Sequence, residues 1–326
     1  MKVLITDYDY PDLQLEQELY REAGIECVTA QCRTEEEVIA ASAGCFGLLV
    51  QYAPVGEKVF AARPEIRIAS RYGAGVDTID TAAAQRHGVW IANSPDYGVG
   101  EVATHALALT LALLRHVVWY DRDIRQGTWH YLSAGDVLRL SNKTLGIFGL
   151  GRIGRRMAHL GRNCFKRVIG HDSYIIDGDF PAYVERVSLE QLFRESDAIS
   201  VHVPLTEETR GIVNAKLLAL MKPTSVLVNT SRGAVVNVDD LLAALNAGQL
   251  DSAALDVLPV EPPPLDSPLL AHPRVLLTPH AAYYSAESQP EMRRKAAQNL
   301  IDWARRGRPT YVVVAGRDLA EAKQVR

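Results

Sequence analysis

Three reactive side chains follow three apolar runs in the second half of the chain. Arg232 comes after Ser225–Asn229, within Asn229-Thr230-Ser231-Arg232-Gly233. Glu261 lies a few residues past Ser252–Asp256, and His280 follows Val275–Leu277 in Thr278-Pro279-His280. If each apolar run is a parallel strand, all three fall just beyond strand C-termini, where ligands of doubly wound sheets bind. A guanidinium, a carboxylate and an imidazole gathered there can hold an anion, orient a ring and move a proton. Taken singly, each has a plainer reading: a surface arginine, a solvated acid in a proline-rich turn, a capping or core histidine. Joint placement is what points to chemistry.

Upstream, Gly149-Leu150-Gly151-Arg152-Ile153-Gly154 matches G-x-G-x-x-G and sits between the apolar run Leu145–Phe148 and the helical run Arg155–Leu160. The first glycine permits a tight turn, the second lets backbone amides approach a pyrophosphate, and the third allows helix to pack on strand, with phosphate at the helix N-terminus. Asp172 follows Gly154 by 18 residues, at the end of the next apolar run. A carboxylate there accepts hydrogen bonds from ribose hydroxyls and repels a 2′-phosphate, which favours NAD over NADP. The alternative is a glycine-rich turn that binds nothing.

These residues need a scaffold, and the pattern around them supplies one. Short apolar runs alternate with helix-period segments along nearly the whole chain, the mark of βαβ units. One series of five expected strands covers Lys2–Thr6, Ile25–Thr29, Gly47–Gln51, Ile66–Ser70 and Val89–Ala92. A second series of six covers Leu145–Phe148, Arg167–His171, Ala198–Val203, Ser225–Asn229, Ser252–Asp256 and Val275–Leu277. Between them, Val99 to Gln126 reads as one long helix and a candidate hinge. Gln289–Arg306 reads as an amphipathic helix, followed by the apolar run Tyr311–Val314. Trp119, Tyr120 and Trp129 are expected on a homodimer surface.

Composition narrows the class further. The chain has 326 residues, 48% hydrophobic and 23% charged, with a net charge of −4. Two domains with their own cores fit that length, and the charge offers no field for nucleic acid. Four cysteines form no C-x-x-C pair, so reduced, buried thiols are expected, with no metal site. The longest apolar stretch, Ala106–Leu114, is too short to span a bilayer, and nothing at the N-terminus resembles a signal peptide. A cytoplasmic, small-molecule protein is the expectation.

The sequence resembles the D-isomer-specific 2-hydroxyacid dehydrogenases. The matching stretches are Arg71-Tyr72-Gly73-Ala74-Gly75-Val76-Asp77, Gly149 to Gly154, Val201-His202-Val203-Pro204-Leu205-Thr206, Asn229 to Gly233, Leu255-Asp256-Val257 and Thr278-Pro279-His280-Ala281-Ala282. Tyr283-Tyr284-Ser285 and Asn93-Ser94-Pro95-Asp96-Tyr97 are similar to the branch that includes the C-terminal-binding proteins. The resemblance implies an α/β fold of two doubly wound parallel-sheet domains, a Rossmann NAD domain over 98–285 and a flavodoxin-like substrate domain over 1–97 and 286–326, with the active site in the cleft between them.

It also implies roles. Arg232 would hold the substrate carboxylate and polarise the C2 carbonyl, His280 would donate the proton, and Glu261 would orient the imidazole. The loop Tyr72-Gly73-Ala74-Gly75 would face the substrate, with backbone amides exposed by its two glycines receiving the carboxylate; the plainer reading is a strand-to-helix turn with Asp77 capping the next helix. Tyr52 and Tyr283 are candidate pocket walls by position. Val102, His202, Val203, Pro204, Thr209, Thr230, Ser231, Arg232, Asp256 and His280 would join the glycine motif along the cofactor, Asp256 at the nicotinamide carboxamide. Gly100 and Thr104 depart from the family pattern, where acids are frequent. Formate oxidation is disfavoured, because formate enzymes of the family carry an amide where Glu261 stands. The alternative from another class is an NAD(H)-sensing, partner-binding protein.

Overall fold

The computed structural model describes residues 1–175 and 179–317. It divides into two compact units, one formed by Met1–Gly98 with the chain from Ser285 onward, the other by Val99–Tyr284.

The first unit begins β1 (Lys2–Ile5), α1 (Gln14–Glu22), β2 (Glu26–Thr29), α2 (Glu35–Ala41), β3 (Gly47–Val50), α3 (Glu57–Ala62), β4 (Ile68–Arg71), α4 (Thr81–His87) and β5 (Trp90–Ala92). The second carries α5 (Val99–Leu114), α6 (Val117–Arg125), β6 (Thr144–Phe148), α7 (Arg152–Gly161), β7 (Arg167–His171), β8 (Glu185–Arg186), α8 (Leu189–Glu195), β9 (Ala198–Val201), α9 (Ala215–Leu218), β10 (Val226–Asn229), α10 (Val238–Asn246), β11 (Ser252–Leu255), α11 (Pro268–Ala271) and β12 (Val275–Leu277). The chain then returns to the first unit as α12 (Ser288–Arg306) and β13 (Val312–Val314).

The first sheet runs β13-β5-β4-β3-β1-β2, and the second β12-β11-β10-β9-β6-β7-β8. Every pairing is parallel except β13, which lies antiparallel on β5. Strands such as Gly47–Val50 and Ala198–Val201 are buried at every position, as parallel strands covered by helices on both faces must be. In the second unit one face packs on Ala103, Leu109 and Leu113 of α5 and Met157 of α7. The other packs on Leu192, Phe193, Leu218 and Leu241. The order reverses at β6, whose neighbours are β7 and β9, so the loop after β6 opens at a topological switch point.

Each sheet has one strand more than the sequence pattern announced. β8 is two exposed residues, and β13 is a mostly exposed edge strand. The expected single helix Val99–Gln126 is two helices bent by 58°. His116 makes the break, with φ 53, and the turn sends the Trp119 indole inward to donate to Pro273 O at 2.9 Å. Trp119 is therefore core, not surface, and the Tyr120 hydroxyl donates to Tyr131 O. Of the three aromatics assigned to a surface, Trp129 alone is strongly exposed, at 85%, with Tyr131 beside it. The four cysteines are free thiols, but only Cys32 and Cys45 are buried. Among the described residues no single helix is long and apolar enough to cross a membrane, and no group of His, Cys, Asp and Glu could hold a metal ion.

Candidate active site

The ends of β10, β11 and β12, adjacent strands, deliver the three reactive side chains within the second unit. Asn229 closes β10 fully buried, a polar residue where the strand is otherwise aliphatic. Its Oδ1 accepts from Ser231 N and Oγ at 3.0 and 2.9 Å, while its Nδ2 donates to Arg232 O at 3.0 Å. That clamp sets the turn presenting Arg232. Gly233 follows, and a Cβ there would fall on the backbone of Leu258 and Pro259. Only glycine lets the Arg232 turn lie against the loop that leads to Glu261.

Glu261 is fixed at both oxygens. Oε1 accepts from Leu258 N at 2.7 Å, and Oε2 meets His280 Nδ1 at 2.7 Å. Burial pushes its carboxyl upward, but the His280 and Leu258 hydrogen bonds and the charges of His280 and Arg232 prevail and hold it below the usual carboxylate range. An ionised acceptor makes His280 Nδ1 the donor and leaves Nε2 as the ring nitrogen that Glu261 does not engage. Tyr283 lies edge-on to the imidazole, with centroids 6.2 Å apart.

His280 is one of two non-glycine residues with positive φ among the described residues. Its N–H donates to Asp256 O at 2.8 Å and to Thr278 O at 3.0 Å. The Asp256 carboxylate, with 1% of its side chain exposed, accepts from Thr278 Oγ1 at 2.5 Å, Ala281 N at 2.9 Å and Ala282 N at 3.0 Å. As the chain folds, both Asp256 oxygens brace the turn that carries His280, Oδ1 with two donors and Oδ2 with one.

The loop after β6 fits a dinucleotide. Gly149 has φ 95, and a Cβ on it would stand 2.7 Å from Val203 N and 2.8 Å from His202 C; one on Gly154 would fall on Gly149 O. Gly151 is the N-cap of α7 with no side-chain cap bond. The first helical bond runs from Arg155 N to Gly151 O, so the amides of Arg152, Ile153 and Gly154 point at whatever occupies the helix start. Asp172 accepts from Leu150 N at 2.7 Å, Tyr174 N at 2.9 Å and Ile175 N at 3.2 Å, which locks its carboxylate onto the glycine turn. Thr230 Oγ1 is buried without a partner, a hydroxyl left for a ligand to satisfy. Val102 is buried in the first turns of α5 and Ser231 is half-buried. Burial lowers the His202 imidazole to about 4, and the ring shares a hydrogen bond with Ser200 Oγ. Pro204 is exposed. Thr209 is the weakest of the cofactor candidates, because its hydroxyl donates to Pro204 O and accepts from Thr206 N, bracing its own loop.

In the first unit, the turn after β4 offers the amides of Gly73, Ala74 and Gly75. Ser94 N holds Gly73 O at 2.8 Å and Asn93 Nδ2 holds Ala74 O at 2.6 Å. Among the described residues those three amides have no acceptor. Tyr72 does not belong with them. Its N–H donates to Val50 O, its ring is 2% exposed, and its hydroxyl donates to Glu16, which Arg293 grips by two bonds of 2.7 and 2.6 Å. Tyr52 is exposed beside Asp9. The helix after this turn is capped by Asp80, whose Oδ1 accepts from Ala83 N, and not by Asp77.

Residues 107–282 match the family model described as D-isomer specific 2-hydroxyacid dehydrogenase, NAD binding domain. A glyoxylate reductase of Korarchaeum cryptofilum is 41% identical over 266 residues, covering 80% of each chain. Among solved structures, an NADPH-dependent glyoxylate/hydroxypyruvate reductase from Sinorhizobium meliloti, in complex with NADP and malonate, superposes with a TM-score of 0.85 at 29% identity, covering 97% of this chain and 98% of that one. An NAD-dependent formate dehydrogenase from Staphylococcus aureus, in complex with NAD, gives 0.86 at 27% identity, covering 97% of this chain and all of that one.

Proposed function

The chain belongs to the D-isomer specific 2-hydroxyacid dehydrogenase family, and from that premise we propose that it reduces a small 2-keto acid of the glyoxylate and hydroxypyruvate type, with NADH and with His280 as proton donor. The product is the 2-hydroxy acid, of D configuration where C2 is a stereocentre. The observation that carries the assignment of roles is the 2.7 Å contact between Glu261 Oε2 and His280 Nδ1.

A bound nicotinamide would supply the hydride for C2. The chain supplies the rest. Arg232 binds the substrate carboxylate and draws electron density from the carbonyl. His280 gives the proton on Nε2 to the carbonyl oxygen as it becomes the hydroxyl. Glu261 stabilises the charged ring and fixes its direction. In the reverse direction the same Nε2 takes the proton back. Within the first unit, the amides of Gly73, Ala74 and Gly75 are a further element able to bind an anion. The α7 N-terminus and glycine turn would hold the pyrophosphate, Asp172 the adenosine ribose, and Thr230 and Ser231 the nicotinamide ribose. Its acid at the ribose position supports NAD over NADP. The exposed Trp129 and Tyr131 support a homodimer, and the free thiols a cytoplasmic setting.

Placement in the branch of the C-terminal-binding proteins rests on the sequence stretches alone. A nucleotide-sensing protein without turnover is not favoured, since Arg232, Glu261 and His280 are all present and two of them are in contact. The test is NADH oxidation at about pH 6.5 against a panel of 2-keto acids, with chiral analysis of products, on the wild type and His280→Ala. Turnover on at least one acid, lost by orders of magnitude in His280→Ala while NADH affinity stays within about twofold, is the expected result. A variant that keeps its turnover removes His280 from the mechanism.

A further inference from the structure

The His280 turn has an anchor outside the reactive trio. His105 stands on α5 and its Nε2 lies 3.1 Å from Thr278 Oγ1 and 3.6 Å from Asp256 Oδ1. Among the described residues it is the one basic side chain within 4.0 Å of the buried Asp256 carboxylate. Thr278 has a single hydroxyl hydrogen, and the 2.5 Å bond to Asp256 takes it. Oγ1 must therefore accept from His105, which fixes the Nε2–H form of that ring. The bonds form one directed chain: His105 Nε2–H to Thr278 Oγ1, Thr278 O–H to Asp256 Oδ1, then Asp256 receiving Ala281 N–H and Ala282 N–H on its carboxylate and His280 N–H on its carbonyl.

We propose that His105 is a positioning residue for the proton-donating histidine, acting through Thr278 and Asp256. This rests on the reading of His280 as that donor. His280 occupies a left-handed backbone conformation without the freedom of glycine, so its orientation depends on the bonds made to the residues around it. Asp256 accepts most of these bonds, and of the three donors on its carboxylate two are backbone amides while the third, the Thr278 hydroxyl, can rotate away unless something holds it. His105 does that from a helix packed on the sheet by Ala103, Ala106 and Leu109, a rigid base for the chain of contacts.

The test uses saturating NADH and keto acid on purified full-length His105→Phe, His105→Gln, Thr278→Val and the double variant His105→Phe/Thr278→Val, with His280→Ala as control. Phenylalanine keeps the ring volume without a donor, and glutamine restores an N–H at similar reach. His105→Phe is expected to lower kcat about tenfold, with KM for the keto acid and Kd for NADH within about twofold, because misplacement of the proton donor acts on the chemical step. His105→Gln recovers most of that loss, and the double variant is no worse than Thr278→Val alone, as residues of one chain are non-additive. Should His105→Phe not fold, Thr278→Val against Thr278→Ser carries the same comparison, the serine expected to lose less. Unchanged kcat in His105→Phe, glutamine no better than phenylalanine, or multiplying effects in the double variant would each overturn the proposal. A His280→Ala enzyme that keeps its turnover overturns the functional reading, and this proposal with it; a silent His105→Phe beside an inactive His280→Ala overturns this proposal alone.

Discussion

Gly233→Ala isolates how the trio is held together. The added methyl would fall on Leu258 C and O and Pro259 N, all backbone atoms that cannot rotate away, so the Arg232 turn and the Leu258 loop must part by more than about 1 Å before ordinary contact distances return. Both sides of that contact are tethered to function. Arg232 O is held by Asn229, and Leu258 N is bonded to Glu261, whose other oxygen is on His280. Whichever side yields, either the guanidinium or the Glu261–His280 pair leaves its place. A displacement of about 1 Å in a catalytic group costs roughly a hundredfold, so kcat/KM for the keto acid is expected to fall by about two orders of magnitude. Overpacking should cost about 1–3 kcal/mol of stability, a drop in melting temperature of about 2–4 °C per kcal/mol for a unit of this size. The glycine turn and Asp172 belong to β6 and β7, so NADH binding by fluorescence titration should stay within about threefold. An alanine variant with kcat/KM within about fivefold of the wild type and an unshifted melting curve would refute the argument that this contact registers Arg232 against Glu261.

Two further outcomes follow from the cofactor end. Asp172→Ala removes the acceptor from the Leu150, Tyr174 and Ile175 amides as well as the negative charge proposed to face the ribose, so on that proposal NADH should bind more weakly and the ratio of kcat/KM with NADH to that with NADPH should fall by about tenfold or more; an unchanged ratio would mean that the ribose is read by other residues. His202, lowered to about 4 by burial, ties stability to acid: between pH 6.5 and 4 the unfolded chain binds a proton that the native ring refuses, so this contribution is complete above about pH 6.5 and is lost as the pH falls to 4, at most ~3 kcal/mol. Urea unfolding at pH 7 and 4.5 should show a smaller acid-induced loss in His202→Gln than in the wild type, and parallel losses would count against it.

What could be read from the residues was what chemistry constrains in type and spacing together. The glycine turn was legible because Gly149 and Gly154 sit where a Cβ meets backbone, and the β-α alternation because buried parallel strands are aliphatic throughout. Other features were set by partners that no spacing announces. Tyr72 looked like part of an amide loop, but Val50 O takes its N–H and Glu16, itself gripped by Arg293 from another helix, takes its hydroxyl. That Asp256 also braces the His280 turn, through three donors from it, was likewise announced by no spacing. Trp119 looked like surface because the helix was expected to run straight; a histidine in left-handed conformation, His116, turned it inward. Asn229 offered a usable signal, a polar side chain at the end of a strand otherwise made of Val and Leu, and His105 offered none, since a lone histidine on a helix has no pattern.

The geometry of the His280 turn also explains why a residue other than glycine is tolerated in that conformation. A left-handed non-glycine residue costs about 1–2 kcal/mol, and hydrogen bonds to a charged group contribute about 1.5–3 kcal/mol each. Asp256 accepts three on its carboxylate within the turn, enough to offset the strain while leaving the backbone one arrangement. Rigidity on that side lets Glu261 act on the other: a ring whose backbone is fixed needs a single contact at Nδ1 to define where Nε2 points. Had His280 sat on a freely rotating loop, the Glu261 bond alone would have allowed the imidazole to swing with the loop, and the proton would have had no constant position relative to a bound carbonyl. A buried carboxylate behind the turn and an ionised one in front of the ring are thus two halves of one orientation device, so the site is better understood as four residues: Arg232, His280 and the two acids, Asp256 and Glu261, that hold the histidine.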